Sequence, residues 1–124
     1  MEEIKPQWEL ELWENENGFC PVQEFLDDLE KRKSTEYERM IKKLNQFKKY
    51  PLAVLKQTQN LGKVKNEEFW ELRISINIEI RLLGVLDENE KLKIFHVVHG
   101  FHKKDQKIRK SDLEITRERI KEII

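Results

Sequence analysis

The sequence predicts an α+β fold, and two observations lead to this class. Apolar residues alternate with polar ones in three segments, and a fourth is an apolar, β-branched run that breaks at a glycine; both patterns are typical of strands. In three other segments the apolar residues recur at helical spacing. The resulting order predicts an N-terminal strand, a helical hairpin, a three-stranded antiparallel meander and a C-terminal helix, with the helices packed against one face of the sheet.

The N-terminal half is expected to form one strand and the helical hairpin. The strand spans about residues 7–14, where tryptophan and leucine alternate with glutamate. The first helix runs from about Val22 to Arg32 and the second from about Glu36 to Lys49, each with an apolar stripe. Ser34 and Thr35 supply capping side chains at the start of the second helix.

The C-terminal half begins with residues 52–68, which are polar and irregular and predict a loop that starts with at most one helical turn. Strands are then expected over residues 69–75, 79–86 and 91–101. Short turns at 76–78 and 87–90 join them into the meander. The last helix is expected from about Ser111 to Ile124, with Ser111 as its N-cap and Glu114 at the capping-box position.

Length and composition indicate one domain in a reducing compartment. A chain of 124 residues matches one ordinary domain, so we expect a single domain over residues 1–124. Cys20 is the only cysteine, which excludes an intrachain disulfide. The N-terminus lacks a signal-peptide pattern, and no apolar run approaches the roughly 18 residues that span a membrane. We therefore expect a cytoplasmic protein with no membrane association.

The predicted meander carries two arginines on its polar face. Period-two geometry puts Arg73 and Arg81 together on the face that we expect the helices to leave uncovered. Glu71 and Glu79 share this face. Two interpretations follow: solvated arginines held in weak ion pairs with the glutamates, or a pair that binds an anion.

One segment of the chain is strongly basic although the formal net charge is +0, from 24 basic and 24 acidic residues. The zero net charge argues against a protein that coats nucleic acid by bulk charge. Between His99 and Lys110, however, only Asp105 opposes five cations, which are Lys103, Lys104, Lys107, Arg109 and Lys110. Gly100 predicts a bend where the preceding apolar strand ends.

This combination of side chains matches the requirements of phosphodiester cleavage. Arginine can hold phosphate oxygens through two hydrogen bonds, lysine adds positive charge, and histidine carries protons near neutral pH. His102 follows the strand and is our candidate for proton transfer. Because the histidines recur every three residues along a strand, their rings alternate between faces, and we expect no metal site and no cofactor.

The residues that carry these features also resemble a known family. Phe69-Trp70-Glu71-Leu72-Arg73, Arg81, the run from His99 to Lys107, and Asp112-Leu113-Glu114 with Arg119 are similar to the phage-derived HigB-like branch of the RelE/ParE toxin superfamily. The resemblance implies a RelE-like fold. It also implies the toxin of a type II toxin–antitoxin system, which cleaves messenger RNA on the ribosome without a metal.

The resemblance further implies the partners and the roles of the site residues. The partners would be a helix-turn-helix antitoxin, in a possible hetero-oligomer with the toxin, and the ribosome with its mRNA. Arg73 and Arg81 would stabilise the scissile phosphate, and lysines 103, 104 and 107 would hold RNA. The candidate catalytic residues are Arg73, Arg81, His102, Lys103 and Lys104. The candidate RNA-binding residues are Lys107, Arg109, Lys110 and His99.

A non-enzymatic binding protein is the alternative to the nuclease. It would be a ParE-like inhibitor that contacts DNA gyrase, or an inactive relative that binds only its antitoxin. A nuclease requires Arg73, Arg81 and His102 around one concave pocket, whereas a pure binding protein does not.

Overall fold

The computed structural model describes residues 5–89 and 91–123 and confirms the α+β class, with an architecture compatible with a RelE-like fold. The elements follow in the order β1 (Trp8–Leu12), α1 (Pro21–Arg32), α2 (Ser34–Lys48), α3 (Leu52–Gln57), β2 (Leu61–Lys63), β3 (Trp70–Ser75), β4 (Glu79–Asp87), β5 (Lys93–His102) and α4 (Lys110–Ile120). None of the described helices is long and apolar enough to cross a membrane.

The five strands form one mixed sheet in the order β1-β5-β4-β3-β2. The predicted antiparallel meander is confirmed as β3, β4 and β5. Strand β1 runs parallel to β5, with Trp8 opposite Lys93 and Leu12 opposite Val97. In the described part of the chain, the stretch of β5 beyond Val97 therefore has no strand beside it on the β1 side.

The segment 52–68 differs from the predicted loop. Leu52–Gln57 forms the short helix α3, and Leu61–Lys63 forms the edge strand β2, which pairs antiparallel with β3. A three-residue strand is too short to show a period-two pattern, so the sequence could not reveal it. Burial of Leu55 and Leu61 holds both elements against the sheet.

The helices pack on both faces of the sheet, so the prediction of a single covered face is wrong. Helices α1, α2 and α3 cover the face that carries Leu72 and Leu82. Helix α4 covers part of the opposite face, where Ile120 packs with Leu83 and Val98. This is the face that carries Arg73 and Arg81, and its apolar patch next to the arginines requires a cover.

The predicted helix caps are also wrong. Lys33 and Arg109 occupy the N-cap positions of α2 and α4, and neither makes a side-chain capping bond. Ser34 and Ser111 lie inside the first turns instead. Two ends of the predicted elements, Glu90 in the second hairpin turn and Ile124 in the last helix, lie outside the described residues.

Candidate functional site

Arg73 and Arg81 lie opposite each other on β3 and β4, as the strand period predicts. Their exposure differs, because 36% of the Arg73 side chain is accessible but only 8% of the Arg81 side chain. Arg73 is therefore the arginine that a ligand on this face can reach.

A buried carboxylate, that of Glu71, lies between the two guanidinium groups. Arg73 donates from Nε to Glu71 Oε1 at 2.7 Å. Arg81 Nε lies 3.5 Å from Glu71 Oε2, and these two buried atoms have no hydrogen-bond partner among the described residues. The ion pairs expected on this face are thus present, but they are largely buried rather than solvated.

Three further arginine nitrogens donate hydrogen bonds on either side of this carboxylate. Arg73 Nη1 donates to the Gln59 carbonyl at 2.7 Å. Arg81 donates from Nη1 to the Ile80 carbonyl at 3.1 Å and from Nη2 to Glu79 Oε1 at 3.0 Å. Two arginines and two glutamates therefore balance in formal charge.

Glu79 is ionised at neutral pH. Burial raises the pKa of its carboxyl, but hydrogen bonds from Ser75 and Arg81 and the charge of nearby Lys103 outweigh that effect and hold the pKa below its ordinary value. Ser75 Oγ donates to Glu79 Oε1 at 2.8 Å. Glu79 therefore remains available as an anionic partner for Arg81.

His102 does not join the arginines. In the register of β4 and β5, Phe101 is opposite Arg81 and His102 is opposite the buried Ile80. His102 thus lies on the α1 and α2 side of the sheet, because neighbouring strand residues alternate between faces. The expectation that Arg73, Arg81 and His102 surround one pocket is not met.

His102 is held neutral at physiological pH. Burial lowers the pKa of its imidazole, and the positive charges of Lys104 and Lys33 lower it further. Lys33 lies at the junction of α1 and α2. The basic segment therefore continues from the loop after β5 to the tip of the helical hairpin.

A small pocket of about 90 Å³ gathers five of the candidate residues beside this loop. Its lining includes His102, Lys103, Lys104, Lys107 and Arg109. Arg109 is paired with Asp105 at 2.7 Å, and Lys110, outside the pocket, is 3.9 Å from Glu114. Among the residues that the structure describes, lysines 103, 104 and 107 form no ion pair, so their charge can act on a ligand.

His99 belongs to a network that sequence reasoning did not predict. Its Nε2 lies 2.7 Å from Asp112 Oδ1, its Nδ1 lies 3.4 Å from Arg119 Nη1, and its ring stacks on Phe101. A guanidinium can only donate, so Nδ1 carries the lone pair and Nε2 carries the proton. The spacing of Asp112 and Arg119, two helical turns apart, was the available signal.

The protonation of His99 is set by its surroundings. Burial lowers the pKa of the imidazole, Asp112 opposes that effect and Arg119 reinforces it, so the net shift is downward. Only 13% of the side chain is accessible. This burial does not favour the direct RNA contact expected for His99.

A larger cleft of about 700 Å³ lies between α1 and the unpaired stretch of β5. Its walls carry charges of both signs, including Asp27, Lys31 and Arg119, with His99 at one side. The hydrogen bond between His99 and Asp112 links this cleft to the small basic pocket, because Asp112 lines that pocket.

Comparison with models of known protein families shows to which family the chain belongs. The model of the family described as phage derived protein Gp49-like (DUF891) matches residues 24–121. The chain belongs to this Gp49-like family. The match runs from α1 to just beyond α4, so it includes both arginines and the basic loop but not β1. No curated protein matches the chain.

Clustered metal ligands are absent from the described part of this Gp49-like protein. Within residues 5–89 and 91–123, no group of three or more histidine, cysteine, aspartate or glutamate side chains is arranged to hold a metal ion.

Proposed function

We propose that this Gp49-like protein is the toxin of a type II toxin–antitoxin system and acts as a ribosome-dependent endoribonuclease on mRNA. The Gp49-like family is related to toxin–antitoxin proteins, which supports the toxin role. The observation that most supports RNA as the target is a group of three lysines at one end of the sheet, Lys103, Lys104 and Lys107, which form no ion pair within the described part of the chain. Lysines that lack acidic partners are available to bind the phosphates of a single strand.

In the proposed reaction the 2'-hydroxyl of the RNA attacks the adjacent phosphorus. A bond from phosphorus to the 2'-oxygen forms, the bond to the 5'-oxygen breaks, and a 2',3'-cyclic phosphate remains. Water takes the proton from the 2'-hydroxyl, and water gives one to the leaving 5'-oxygen. Arg73 would stabilise the charge that develops on the phosphate oxygens, since it is the accessible arginine.

His102 would contact the RNA away from the reaction centre, because it lies on the opposite face of the sheet from Arg73. Its lowered pKa leaves the imidazole neutral at physiological pH, so it adds no positive charge there. Its ring borders the basic pocket, whereas Arg73 lies on the other face. The RNA would therefore have to cross the end of the sheet to contact both residues.

The proposed partners follow from this activity. They are the ribosome with its mRNA, and a helix-turn-helix antitoxin that forms a hetero-oligomer with the toxin. The proposed location is the cytoplasm, where these partners occur.

A binding protein without nuclease activity is the second candidate. The observation that favours it is the pairing of both arginines with glutamates, which leaves the arginine face formally neutral. A ParE-like gyrase inhibitor or a relative that only binds its antitoxin would need no catalytic residues.

Expression in cells separates the two candidates. We would induce the chain with and without an antitoxin, follow growth, and map transcript 5' ends by primer extension. The nuclease proposal expects growth arrest with new 5' ends, and it expects both effects to disappear in Arg73→Ala and in Lys103→Ala/Lys104→Ala. Lys42→Ala, an exposed change on α2, is the control. Growth arrest without new 5' ends would contradict the nuclease and support the binding protein.

A further inference from the structure

Glu71 contacts both Arg73 and Arg81, but the contact with Arg81 is buried and the contact with Arg73 is accessible to solvent. The Glu71 side chain is only 6% exposed, and the Arg81 side chain is almost as buried. Arg73 reaches the same carboxylate from the accessible side. Glu71 is therefore a buried carboxylate that lies between the buried guanidinium of Arg81 and the accessible guanidinium of Arg73.

Arg73 is held at two points and leaves one nitrogen available. Nε donates to Glu71 and Nη1 donates to the Gln59 carbonyl, both at 2.7 Å. In the described residues Nη2 has no hydrogen-bond acceptor. An arginine fixed in this way loses little conformational freedom when it binds an anion.

Gly62 on β2 supplies the space for this arrangement. A Cβ atom at this position would lie 2.7 Å from Arg73 Nη2, which is closer than real Cβ contacts allow. Because the obstructing atom is the end of a flexible side chain, the backbone would remain in place and the guanidinium would move. The absence of a side chain at Gly62 thus leaves room for the guanidinium of Arg73 in this position.

We propose that Glu71 is a positioning residue which, anchored by Arg81, holds Arg73 with its Nη2 available to bind a phosphate of the RNA. Arg81 acts through Glu71 and does not touch the substrate. The phosphate rests on the proposed function, whereas the clamp of Glu71, Arg81 and Gly62 around Arg73 is a property of the protein alone.

Gly62→Ala tests the positioning in a cleavage assay with purified protein, ribosomes and a defined mRNA. We expect kcat to fall by about 10- to 100-fold with little change in KM, since a displacement of about 1 Å costs this much. In an Arg73→Ala background, under single-turnover conditions, Gly62→Ala should have no further effect. Wild-type kcat for Gly62→Ala, or an equal loss in both backgrounds, would overturn the proposal.

The Arg73 Nε–H signal in ¹⁵N NMR tests the clamp without any RNA. We expect slow solvent exchange of this proton in the wild type, and a shifted, faster-exchanging signal in Gly62→Ala and in Glu71→Gln. Glu67→Gln is the matched control, because Glu67 is a mostly buried carboxylate paired with Arg117 and does not contact Arg73. Fast exchange of the Arg73 proton in the wild type would overturn the clamp.

Together, the cleavage assay and the NMR measurement show whether the clamp around Arg73 or its contact with phosphate is wrong. A slow-exchanging Arg73 proton together with wild-type cleavage by Arg73→Ala would leave the clamp standing and overturn the phosphate contact. Slow exchange with loss of cleavage in Arg73→Ala, Gly62→Ala and Glu71→Gln supports the positioning role, provided that Glu67→Gln cleaves as wild type.

Discussion

Arg81 and Arg73 share a carboxylate, yet their removal should have unequal consequences for stability. Arg81→Ala leaves the buried Glu71 charge without its anchor, and breaking a buried pair in this way costs about 3–5 kcal/mol. Arg73 is more exposed, so we expect Arg73→Ala to lower the free energy of unfolding by about 1 kcal/mol. Urea denaturation measures both. Arg32→Ala, which breaks an exposed pair with Asp28, is the control, and equal losses for Arg73→Ala and Arg81→Ala would contradict the assignment.

His99 should make stability depend on pH. Its pKa in the folded protein lies below the ordinary value of 6.5, so as the pH falls the unfolded chain binds a proton first. Stability is therefore lost as the pH falls through 6.5 towards the lower folded pKa. We expect His99→Asn to lose less stability than the wild type between about pH 8 and about pH 5 in urea denaturation. Parallel losses in the two proteins would show that another group, not His99 between Asp112 and Arg119, dominates.

At the level of elements, α1 can approach the sheet closely because β5 carries a glycine where the helix crosses it. A Cβ at Gly100 would lie 3.0 Å from atoms of both Leu82 and Phe25. We expect Gly100→Val to lower the free energy of unfolding by about 1–3 kcal/mol through overpacking. Adding Phe25→Leu to Gly100→Val should recover part of that loss, which a double-mutant cycle in urea measures. Additive losses would contradict a direct contact between helix and strand.

Elements were predicted correctly from the sequence where their pattern of apolar residues extends over many residues. The meander strands lie within about two residues of their predicted bounds, because their strand-type patterns, alternation or an apolar β-branched run, extend over six residues or more. The three-residue β2 gave no pattern. The predicted irregularity at Gly100 is instead a register shift between Leu83 and Gly84, which brings Val98 and His99 to the α4 face.

Only those features of the site that depend on the alternation within a single strand could be predicted from the sequence. The shared face of Arg73 and Arg81 follows from strand period alone, and the structure bears it out. The position of His102 depends on its pairing across β4, and the contacts of His99 depend on where α4 docks. Neither pairing nor docking can be read from a single periodic pattern.

For the whole molecule, the net charge of zero does not show that the positive charge is unevenly distributed over the surface. The net charge of +0 includes many acidic side chains already paired with basic ones, whereas lysines 103, 104 and 107 have no such partners in the part of the chain that the structure describes. A strand of RNA would therefore meet a local positive charge. Its binding should depend on salt, because lysines that bind phosphates release counterions.

Fluorescence anisotropy measures the affinity for a single-stranded RNA oligonucleotide at several salt concentrations. It tests whether the lysines of the basic loop bind the RNA. We expect the slope of log K against log salt to become less steep by about 0.7 for each phosphate that is no longer neutralised in Lys104→Ala and Lys107→Ala. Lys42→Ala removes an equal charge from the exposed side of α2 and should leave the slope unchanged. If all three variants changed the slope equally, overall charge would govern binding and the basic loop would have no special role. A smaller slope for the loop variants alone means that the unpaired lysines hold the strand, since a distant charge contributes little beyond the screening length of about 8 Å.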